Sequence, residues 1–421
     1  MDEHRASARA RVLMVAGGTG GHIFPALAVA EELRARGERS GSPYEIEFLG
    51  THRPLEAKLI PAAGFRLRTV EAAGLKGIGG IQRLRNLLLL PRTAIEVARI
   101  LQEFQPQVVV GVGGYLAGPV MLEAALANIP TILIEPNARP GFTNRLLAPT
   151  VRAAAVGFAE TAHLYGEKAV VTGHPVRRAF FDIPPRRHVA QPLLAVRAQA
   201  GVPVPPFTVL VVGGSQGSRA INRAVAASLP LLDVAPTLRL ASADVGPGFS
   251  PACADLKVGA TPVAAPENEA FPGGMRIIHQ TGEHDYNEVR KTYQERGLIA
   301  EVHAFIEDMP GALAQADLVI SRAGATAVAE LAAAGRAAVL IPFPGATDQH
   351  QLENARAMER GGAARVIVQS ELTTERLAGE IRELMASPTT LEKMEACARR
   401  LARPDAAARI ADMVEALARR S

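Results

Sequence analysis

The sequence has no tryptophan, two cysteines and only 4% aromatic residues among its 421 positions. Cys253 and Cys397 have neither metal-ligand spacing nor the pattern of a disulfide framework, which favours a reducing compartment. No apolar run is long enough for a membrane-spanning helix, and the leucine run at positions 87–90 ends at Pro91. The first apolar run, residues 12–16, is too short for the core of a signal peptide. We therefore expect a cytoplasmic protein.

The chain also lacks a strong excess of charge of either sign. Lysine and arginine number 46 against 42 acidic residues, which leaves a net charge of +4. This excess is too small for a committed nucleic-acid binder, and no RNA-binding motif of aromatic and basic residues accompanies it. A mildly basic chain suits an anionic substrate or an anionic membrane surface. A hydrophobic content of 48% is typical of a folded protein, and the length allows two domains.

Two glycine-rich turns carry most of the information in the sequence, and each follows a short apolar run. Residues 12–22 read VLMVAGGTGGH, and residues 209–219 read VLVVGGSQGSR. Glycine allows the backbone to approach a ligand closely, and the N-terminus of a following helix favours an anion. Neither turn has the dinucleotide pattern G-x-G-x-x-G or a phosphate-binding P-loop. The pair predicts two α/β domains around a phosphorylated or nucleotide-linked substrate; plain strand-to-helix turns are the alternative.

Short β-rich runs alternate with helical stretches, which predicts parallel sheets with crossover helices. The predicted strands are residues 12–16, 45–49, 108–112, 131–134, 169–172, 208–212, 276–280, 318–321 and 337–341. The predicted helices are residues 26–36, 93–103, 326–334 and 349–360, followed by a helical region at 391–421 that is broken at Pro404. Residues 177–206 are rich in proline, which predicts that they connect the two domains. Residues 241–274 are interpreted as an inserted loop.

A set of motifs occurs in a specific order along the chain. They are Gly17-Gly-Thr-Gly-Gly-His22 with Pro25, Gly113-Gly-Tyr115 with Gly118-Pro119, Asn137 with Gly141 and Asn144, Gly173-His-Pro-Val-Arg177, Gly213-Gly-Ser-Gln-Gly217, and Arg322-Ala-Gly-Ala with Glu330. In this order the set resembles the MurG family of peptidoglycan N-acetylglucosaminyltransferases, over nearly the whole chain. The resemblance implies an α/β GT-B fold, with two Rossmann-like parallel-sheet domains that face each other across a cleft.

The resemblance also implies a division of labour and a reaction. Residues 1–176 would form the acceptor and membrane-facing domain, residues 177–403 the UDP-sugar domain, and a helix at about 404–421 would pack back on the first domain. The reaction would be inverting transfer of GlcNAc from UDP-GlcNAc to the C4 hydroxyl of the muramyl sugar of lipid I, which gives a β-1,4 link and lipid II. The implied partners are UDP-GlcNAc, polyprenyl-pyrophosphate-linked lipid I, the anionic cytoplasmic face of the bacterial inner membrane, and other cell-wall synthesis and division proteins.

On the donor side, the resemblance assigns a role to each motif residue. Ser215 would donate to the UDP diphosphate, and Glu330 would accept from the ribose hydroxyls. The main chain of Ile306 would pair with uracil, with Arg177 near the base or phosphate. The other donor-binding candidates are Thr19, Gly20, Gly21, Asn137, Ala325, His350 and Gln351. Arg177 as a surface charge and Asp348 as the N-cap of the helix at 349–360 are alternatives. No Asp-x-Asp motif is present to hold a metal, and no cofactor is expected.

On the acceptor side, His22 is the candidate base. Imidazole titrates near neutrality, and a helix N-terminus favours its neutral, proton-accepting form. His22 would take the proton of the acceptor hydroxyl, or alternatively only position the acceptor diphosphate. The other acceptor-binding candidates are Gly18, Tyr115 and Asn144.

Residues 74–92 mix apolar and cationic side chains, a combination that suits the anionic face of a bilayer. The candidate membrane residues are Leu75, Ile78, Ile81, Arg83 and Arg85. An ordinary amphipathic helix packed on the domain core is the alternative.

One segment departs from the family pattern: where the family usually has His-Glu-Gln-Asn, this chain has Ile134-Glu-Pro-Asn137, and Pro136 removes a backbone donor and an amide side chain. Rival functions are a glycolipid synthase that uses another UDP-hexose and a non-catalytic UDP-sugar sensor. A UDP-GlcNAc 2-epimerase would need further acid and base groups that the sequence does not show. A nicotinamide dehydrogenase would need the dinucleotide fingerprint.

Overall fold

The computed structural model describes residues 10–17, 20–71, 80–186, 200, 204–232, 274–296, 300–346 and 349–419, with the backbone alone for residues 80–90. Four predicted site residues lie outside the described residues: Gly18, Thr19, Leu75 and Ile78. The side chains of Ile81, Arg83 and Arg85 and the structure of residues 241–273 are likewise outside the description.

Two parallel sheets form the framework of the described chain. The first contains β1 (Arg11–Val15), β2 (Glu45–Gly50), β3 (Arg66–Thr69), β4 (Val108–Gly111), β5 (Thr131–Glu135), β6 (Ala153–Val156) and β7 (Ala169–Val171). The second contains β8 (Phe207–Val212), β9 (Met275–Gln280), β10 (Ala300–His303), β11 (Leu318–Ser321), β12 (Ala338–Leu340) and β13 (Ala364–Val366). The strand orders are β3-β2-β1-β4-β5-β6-β7 and β10-β9-β8-β11-β12-β13. In each sheet the strand order changes direction between two neighbouring strands, β1 and β4 in the first sheet and β8 and β11 in the second. Both β1 and β8 lead into a glycine turn, and open parallel sheets bind ligands at such a point.

Helices connect successive strands and cover both faces of each sheet. In the first half they are α1 (Gly20–Ser40), α2 (Pro54–Ala62), α3 (Gly80–Phe104), α4 (Ala117–Leu126), α5 (Phe142–Leu147) and α6 (Arg178–Phe181). In the second half they are α7 (Arg219–Ser228), α8 (Tyr286–Glu295), α9 (Met309–Gln315), α10 (Ala325–Ala334), α11 (His350–Arg360), α12 (Thr374–Ala386), α13 (Pro388–Leu401) and α14 (Ala406–Ala418).

The central strands are apolar at consecutive positions because both of their faces are buried. On β1, Val12 and Met14 pack in one core layer with residues of α1 and α14. Leu13 and Val15 pack in the opposite layer with residues of α3 and α4. Strand β8 is divided in the same way between two core layers of the second domain. This double burial explains the short, unbroken apolar runs before both glycine turns.

The last helix returns to the first domain. Arg36 on α1 donates to Asp412 at 2.6 Å and to the carbonyl of Ala408 at 2.9 Å, and Tyr44 donates to Glu415 at 2.9 Å. The apolar face of α14 lies in the same core layer as α1. Conversely, Phe180 on α6 is buried in the core of the second domain. The chain therefore crosses between the domains twice.

The structure corrects several predicted element boundaries. Helix α1 begins at Gly20 and not at residue 26, with Pro25 inside it, and α3 begins at Gly80 and continues through Pro91. Strands β3, β6, β10 and β13 were not predicted, since β3 and β10 are edge strands with several polar residues, β13 has only three residues, and β6 is mostly alanine. Asp348 lies outside the described residues, and the residue directly before α11 is Gln349, which makes no side-chain cap.

Candidate active site

A cleft of about 2240 Å³ lies between the two domains, at the carboxyl ends of both sheets. The structure brings the described donor- and acceptor-binding candidates together on its walls: Gly20, Gly21, His22, Tyr115, Asn137, Asn144, Arg177, Ser215, Ile306, Ala325, Glu330, His350 and Gln351. The first domain contributes the loops after β1, β4 and β5, and the second contributes those after β8, β10 and β11. The site thus combines residues that are distant in sequence.

His22 lies in the first turns of α1, and its ring donates a hydrogen bond to the main-chain carbonyl of Gly17. Burial lowers the pKa of His22, and its electrostatic interaction with His350 across the cleft lowers that pKa further. Gly114 has φ of +85°, and a Cβ there would lie 3.5 Å from the His22 ring and 3.0 Å from the Gly17 oxygen. The position therefore requires glycine, because a side chain would disturb the His22–Gly17 contact.

Sequence reasoning did not single out His174, which the structure places near His22. His174 is 8% exposed, and neither of its ring nitrogens has a hydrogen-bond partner among the described residues. Burial and the interaction with His22 lower the pKa of His174 to about 3, so its ring is neutral. Its only sequence signal was its place in the Gly173–Arg177 motif.

Glu135, at the end of β5, holds the loop that carries Asn137. Its carboxylate accepts from the main-chain and side-chain nitrogens of Asn137 at 3.0 and 3.1 Å. It also accepts from the nitrogen of Gly141 at 3.1 Å and from Asn144 Nδ2 at 2.8 Å. Four donors converge on one fully buried carboxylate, so the loop conformation at Pro136 is fixed without the family's glutamine.

Asn354 on α11 ties this loop to the second domain. Its Oδ1 accepts from the nitrogen of Ala138 at 3.1 Å, and its Nδ2 donates to the carbonyl of Ala323 at 3.2 Å. Asn354 Nδ2 also approaches Asn137 Oδ1 at 3.4 Å. Elsewhere across the cleft, Thr326 donates to the carbonyl of Gly21 at 3.2 Å. The predicted sugar-binding residue Asn137 is therefore oriented from both domains.

Close backbone and side-chain contacts hold the second glycine turn in place. Gly217 has φ of +76°, and a Cβ there would lie 1.9 Å from the carbonyl of Thr281, which only glycine permits. Ser218 is the N-cap of α7 and accepts from the nitrogen of Ile221. Arg322 donates to Ser218 Oγ at 2.7 Å, and Ser215 is exposed at the tip of the turn. These contacts fix the conformation of the turn, and Ser215 faces the cleft.

Gln280, at the end of β9, connects the two loops at opposite ends of the predicted nucleotide site. Its amide donates to the carbonyl of Gly214 at 2.9 Å, and its oxygen accepts from the nitrogen of Ile306 at 2.8 Å. The nitrogen of Ile306 is thus already engaged, which leaves its carbonyl as the main-chain group that could accept from uracil. Sequence reasoning missed Gln280, because no local pattern marks it.

Glu330 on α10 faces Arg177 near the junction of the domains. Burial raises the pKa of Glu330 to about 8, and the nearby Arg177 opposes that rise. The Arg177 guanidinium lies over the ring of Phe24 at 4.8 Å and over that of Phe180 at 5.2 Å. Arg177 is therefore held between α1 and α6 and is not an isolated surface charge.

His350 and Gln351 are the first two residues of α11. Gln351 Oε1 accepts from the nitrogen of Phe343 at 3.0 Å, so one end of its amide orders a neighbouring loop. The other end can still face a ligand in the cleft, since an amide carries both an acceptor and donors.

A group of apolar side chains is exposed on the first domain, where α3, α4 and α5 pack side by side. Its members are Ile95, Leu122, Leu126, Phe142 and Leu146, which are 46–71% exposed. Arg92 and Arg99 lie on the same helix as Ile95, with side chains 64% and 80% exposed. We call these residues of α3–α5 the apolar face. Within the described residues, no helix is long and apolar enough to cross a bilayer.

Comparisons with known proteins agree with this geometry. A family model described as glycosyltransferase family 28 N-terminal domain matches residues 12–156, and one described as the family 28 C-terminal domain matches residues 208–410. The crystal structure of Acinetobacter baumannii MurG has a TM-score of 0.67 and 29% identity, and the match covers 97% of this chain and 99% of that one.

Two relatives carry the name UDP-N-acetylglucosamine--N-acetylmuramyl-(pentapeptide) pyrophosphoryl-undecaprenol N-acetylglucosamine transferase. The one from Myxococcus xanthus is 42% identical over 404 residues, which cover 96% of this chain and 92% of the relative. The one from Solibacter usitatus is 39% identical over 412 residues, which cover 97% of each.

Two facing parallel-sheet domains with a glycine turn on each side of one cleft define a glycosyltransferase of the GT-B fold. The matches extend over both domains and nearly the whole length. The chain belongs to the MurG family, within glycosyltransferase family 28. The fold class, the family resemblance and the glycosyltransferase activity predicted from the sequence are thus confirmed, while the individual site roles stay predictions.

Proposed function

We propose that this protein transfers N-acetylglucosamine from UDP-GlcNAc to the C4 hydroxyl of the muramyl sugar of lipid I and so produces lipid II. The relatives' printed names support these substrates. The observation that carries the proposal is the position of His22, on the first domain and opposite His350 of the second. A base candidate thus faces the donor wall across a cleft large enough for both substrates.

On the donor wall, the exposed Ser215 and the N-terminus of α7 hold the diphosphate, because backbone N–H groups and the helix dipole favour an anion there. The carbonyl of Ile306 accepts from uracil, and Glu330 accepts from the ribose hydroxyls. Asn137, His350 and Gln351 bind the sugar hydroxyls. Among the described residues there is no cluster of three or more side chains suited to a metal ion, and metal independence stays a prediction.

On the acceptor wall, His22 is the base. Its hydrogen bond to the Gly17 carbonyl requires that the bonded ring nitrogen carry the proton, so in the neutral ring the other nitrogen carries the electron pair that accepts a proton. That nitrogen takes the proton from the C4 hydroxyl, and the oxygen attacks the anomeric carbon from the face opposite UDP. The bond from that carbon to the diphosphate breaks, its electron pair stays on the diphosphate, and the product has the β configuration.

The test is release of UDP by the purified protein given UDP-GlcNAc and a lipid I analogue, with EDTA present. We expect acceptor-dependent release of UDP and a new β-1,4 disaccharide. The His22→Ala variant should lose about 10²–10⁴-fold in kcat, the usual contribution of a general base. His163→Ala, at an exposed histidine of the same domain, is the matched control and should keep full activity.

Two results would count against this proposal. Turnover with UDP-galactose on a neutral lipid, and none with lipid I, would move the protein to a glycolipid synthase. Retention of most of the kcat by His22→Ala would leave the transfer in place and remove the base assignment.

We further propose that the apolar face rests on the anionic surface of the membrane that holds the lipid acceptor. Apolar side chains next to arginines match the boundary between acyl chains and anionic headgroups. Residues 80–92 of the segment predicted from the sequence to bind membrane belong to α3, the helix that also carries Ile95. The other cell-wall synthesis and division proteins stay expected partners on the resemblance alone.

Vesicle flotation tests this surface. The wild type should float with phosphatidylglycerol vesicles at low salt, and high salt should weaken the binding. A Leu126→Gln and Leu146→Gln double variant should lose flotation and keep its donor affinity. Leu231→Gln, at an apolar residue of the second domain that is 38% exposed, is the control and should float normally. Unchanged flotation of the double variant would contradict the assignment.

A further inference from the structure

Arg322 and Arg177 line the cleft together with the donor turn. Arg322 is 9% exposed and donates to the carbonyls of Ile341 and Pro342, to Ser218 Oγ and to Gln369 Oε1. Arg177 is stacked between two phenylalanine rings at the domain junction. Arg322 is thus held by hydrogen bonds from both terminal nitrogens, whereas Arg177 is held by ring stacking, and its buried Nε has no hydrogen-bond partner among the described residues.

Arg219 is placed differently. It is the first residue of α7, directly after the N-cap Ser218, and it lines the cleft beside Ser215. Its side chain is 52% exposed, and its Nε lies 3.4 Å from Asp285 Oδ1. Because the guanidinium is a planar fork, a carboxylate on Nε leaves the two terminal nitrogens to reach an anion.

Asp285 is itself held by buried groups. Its side chain is 9% exposed, and its Oδ2 accepts from Asn222 Nδ2 at 2.9 Å. Asn222 Nδ2 also donates to the carbonyl of Thr281 at 3.1 Å, so both amide protons are used. Asn222 Oδ1 must therefore be the acceptor in its 3.0 Å contact with His279 Nε2.

This contact fixes the direction of the remaining hydrogen bond. Burial lowers the pKa of His279 to about 3, so the ring is neutral and carries its proton on Nε2. His279 Nδ1 then accepts from the hydroxyl of Tyr293, 2.7 Å away. A chain of hydrogen bonds thus runs from Tyr293 through His279 and Asn222 to Asp285, which accepts at its other oxygen from Nε of Arg219. A buried polar chain with all its members satisfied is rigid, and it ends at the cleft.

We propose that Arg219 binds the diphosphate of the UDP-sugar and stabilises the negative charge that builds on it as the sugar leaves. Its terminal N–H groups donate to phosphate oxygens, a geometry that the guanidinium fork matches. No proton is transferred in this step, since the bond from the anomeric carbon to oxygen breaks and its electron pair stays on the diphosphate. Asp285, Asn222, His279 and Tyr293 are positioning residues behind Arg219. The sugar identity rests on the proposed function, but the nucleotide contact does not.

Calorimetry with UDP and uridine tests the contact. The Arg219→Gln variant should bind UDP about 10- to 100-fold more weakly, the usual loss when a hydrogen bond to a charged group is removed. Its affinity for uridine should stay within twofold, because uridine has no phosphate. Arg223→Gln, at an exposed arginine one turn further along α7, makes the same charge change and should bind both ligands normally.

A comparison of single and double variants tests whether Asp285 acts by positioning Arg219. Asp285→Asn should weaken UDP binding by less than Arg219→Gln does. The double variant should bind UDP no more weakly than Arg219→Gln alone, because Asp285 acts through Arg219. Additive losses in the double variant would overturn the positioning role.

Two outcomes would overturn the Arg219 assignment: UDP binding by Arg219→Gln at wild-type affinity, or equal weakening of UDP and uridine. These outcomes are separate from failure of the proposed function. A wild-type protein that binds UDP but transfers no sugar to lipid I would reject the function, and the UDP and uridine titrations would still decide the role of Arg219.

Discussion

Replacing Glu135 by glutamine should damage the sugar-binding loop while the nucleotide site stays intact. The change keeps the size of the side chain and turns one of its two acceptor oxygens into a donor. Each oxygen of Glu135 accepts from two nitrogens, so whichever oxygen is replaced, two hydrogen bonds to a carboxylate are lost. At roughly 1.5–3 kcal/mol each, the gross loss is about 3–6 kcal/mol.

Two effects reduce that loss. Burial raises the pKa of Glu135, so the ionised carboxylate is itself costly in the folded protein and the neutral amide relieves that cost. Asn144 Oδ1 has no hydrogen-bond partner among the described residues, so the Asn144 amide can flip and accept from the new Nε2. The net cost of Glu135→Gln is then about 1–3 kcal/mol, which is a Tm decrease on the order of 2–4 °C per kcal/mol. Glu135→Ala loses all four hydrogen bonds and should cost more.

The assay combines thermal unfolding with kinetics. In Glu135→Gln we expect kcat/KM for UDP-GlcNAc to fall about 10- to 100-fold, because Asn137 loses its fixed orientation. The Kd for UDP should change less than twofold, since Ser215 and Ile306 lie in the other domain. Glu160→Gln, at an exposed glutamate of the same domain, is the control. A Glu135→Gln protein with wild-type Tm and wild-type kcat/KM would refute this reasoning.

Three further predictions follow from buried groups. Because burial lowers the pKa of His22, kcat, which reports the substrate complex in which Glu330 is already ionised, should stay level from pH 7 down past 6.5 and fall only at lower pH; an inflection of kcat above pH 7 would contradict the base assignment. Because burial raises the pKa of Glu330 to about 8, ribose hydroxyls that donate to its carboxylate should favour ionisation. UDP binding near pH 7 should therefore release a proton, seen by calorimetry in buffers of different ionisation enthalpy, and Glu330→Gln should abolish the release. Asp317→Asn removes a paired acceptor of Arg186 and of the nitrogen of Thr208, and should lower the free energy of unfolding by about 1–3 kcal/mol. Asp182→Asn, in an exposed ion pair, should change that free energy by less than about 0.5 kcal/mol, and equal losses in both variants would contradict the role of burial.

The sequence alone located the two glycine turns and the sheets that carry them. A strand buried on both faces must be apolar at consecutive positions, as β1 and β8 are, and a tight turn at a positive φ must be glycine. Both requirements are local, so they leave a local pattern. The same patterns failed for the edge strands β3 and β10, which carry several polar residues, and for β13, which has only three residues. They also failed for the start of α1, where packing of Ile23 and Ala26 outweighs the low helix propensity of glycine.

Only the tertiary structure decided which partners hold the candidate site residues in place. Asn354 and Asn137 are 217 positions apart in sequence, and Arg219 and Asp285 are 66 apart. Glu135, Gln280 and His174 belong to no pattern of spacing, because a hydrogen bond between loops depends on where two sheets place their ends and not on neighbouring residues. The sequence therefore determined which segments face the cleft, and the packing of two domains determined how each side chain is aimed within it.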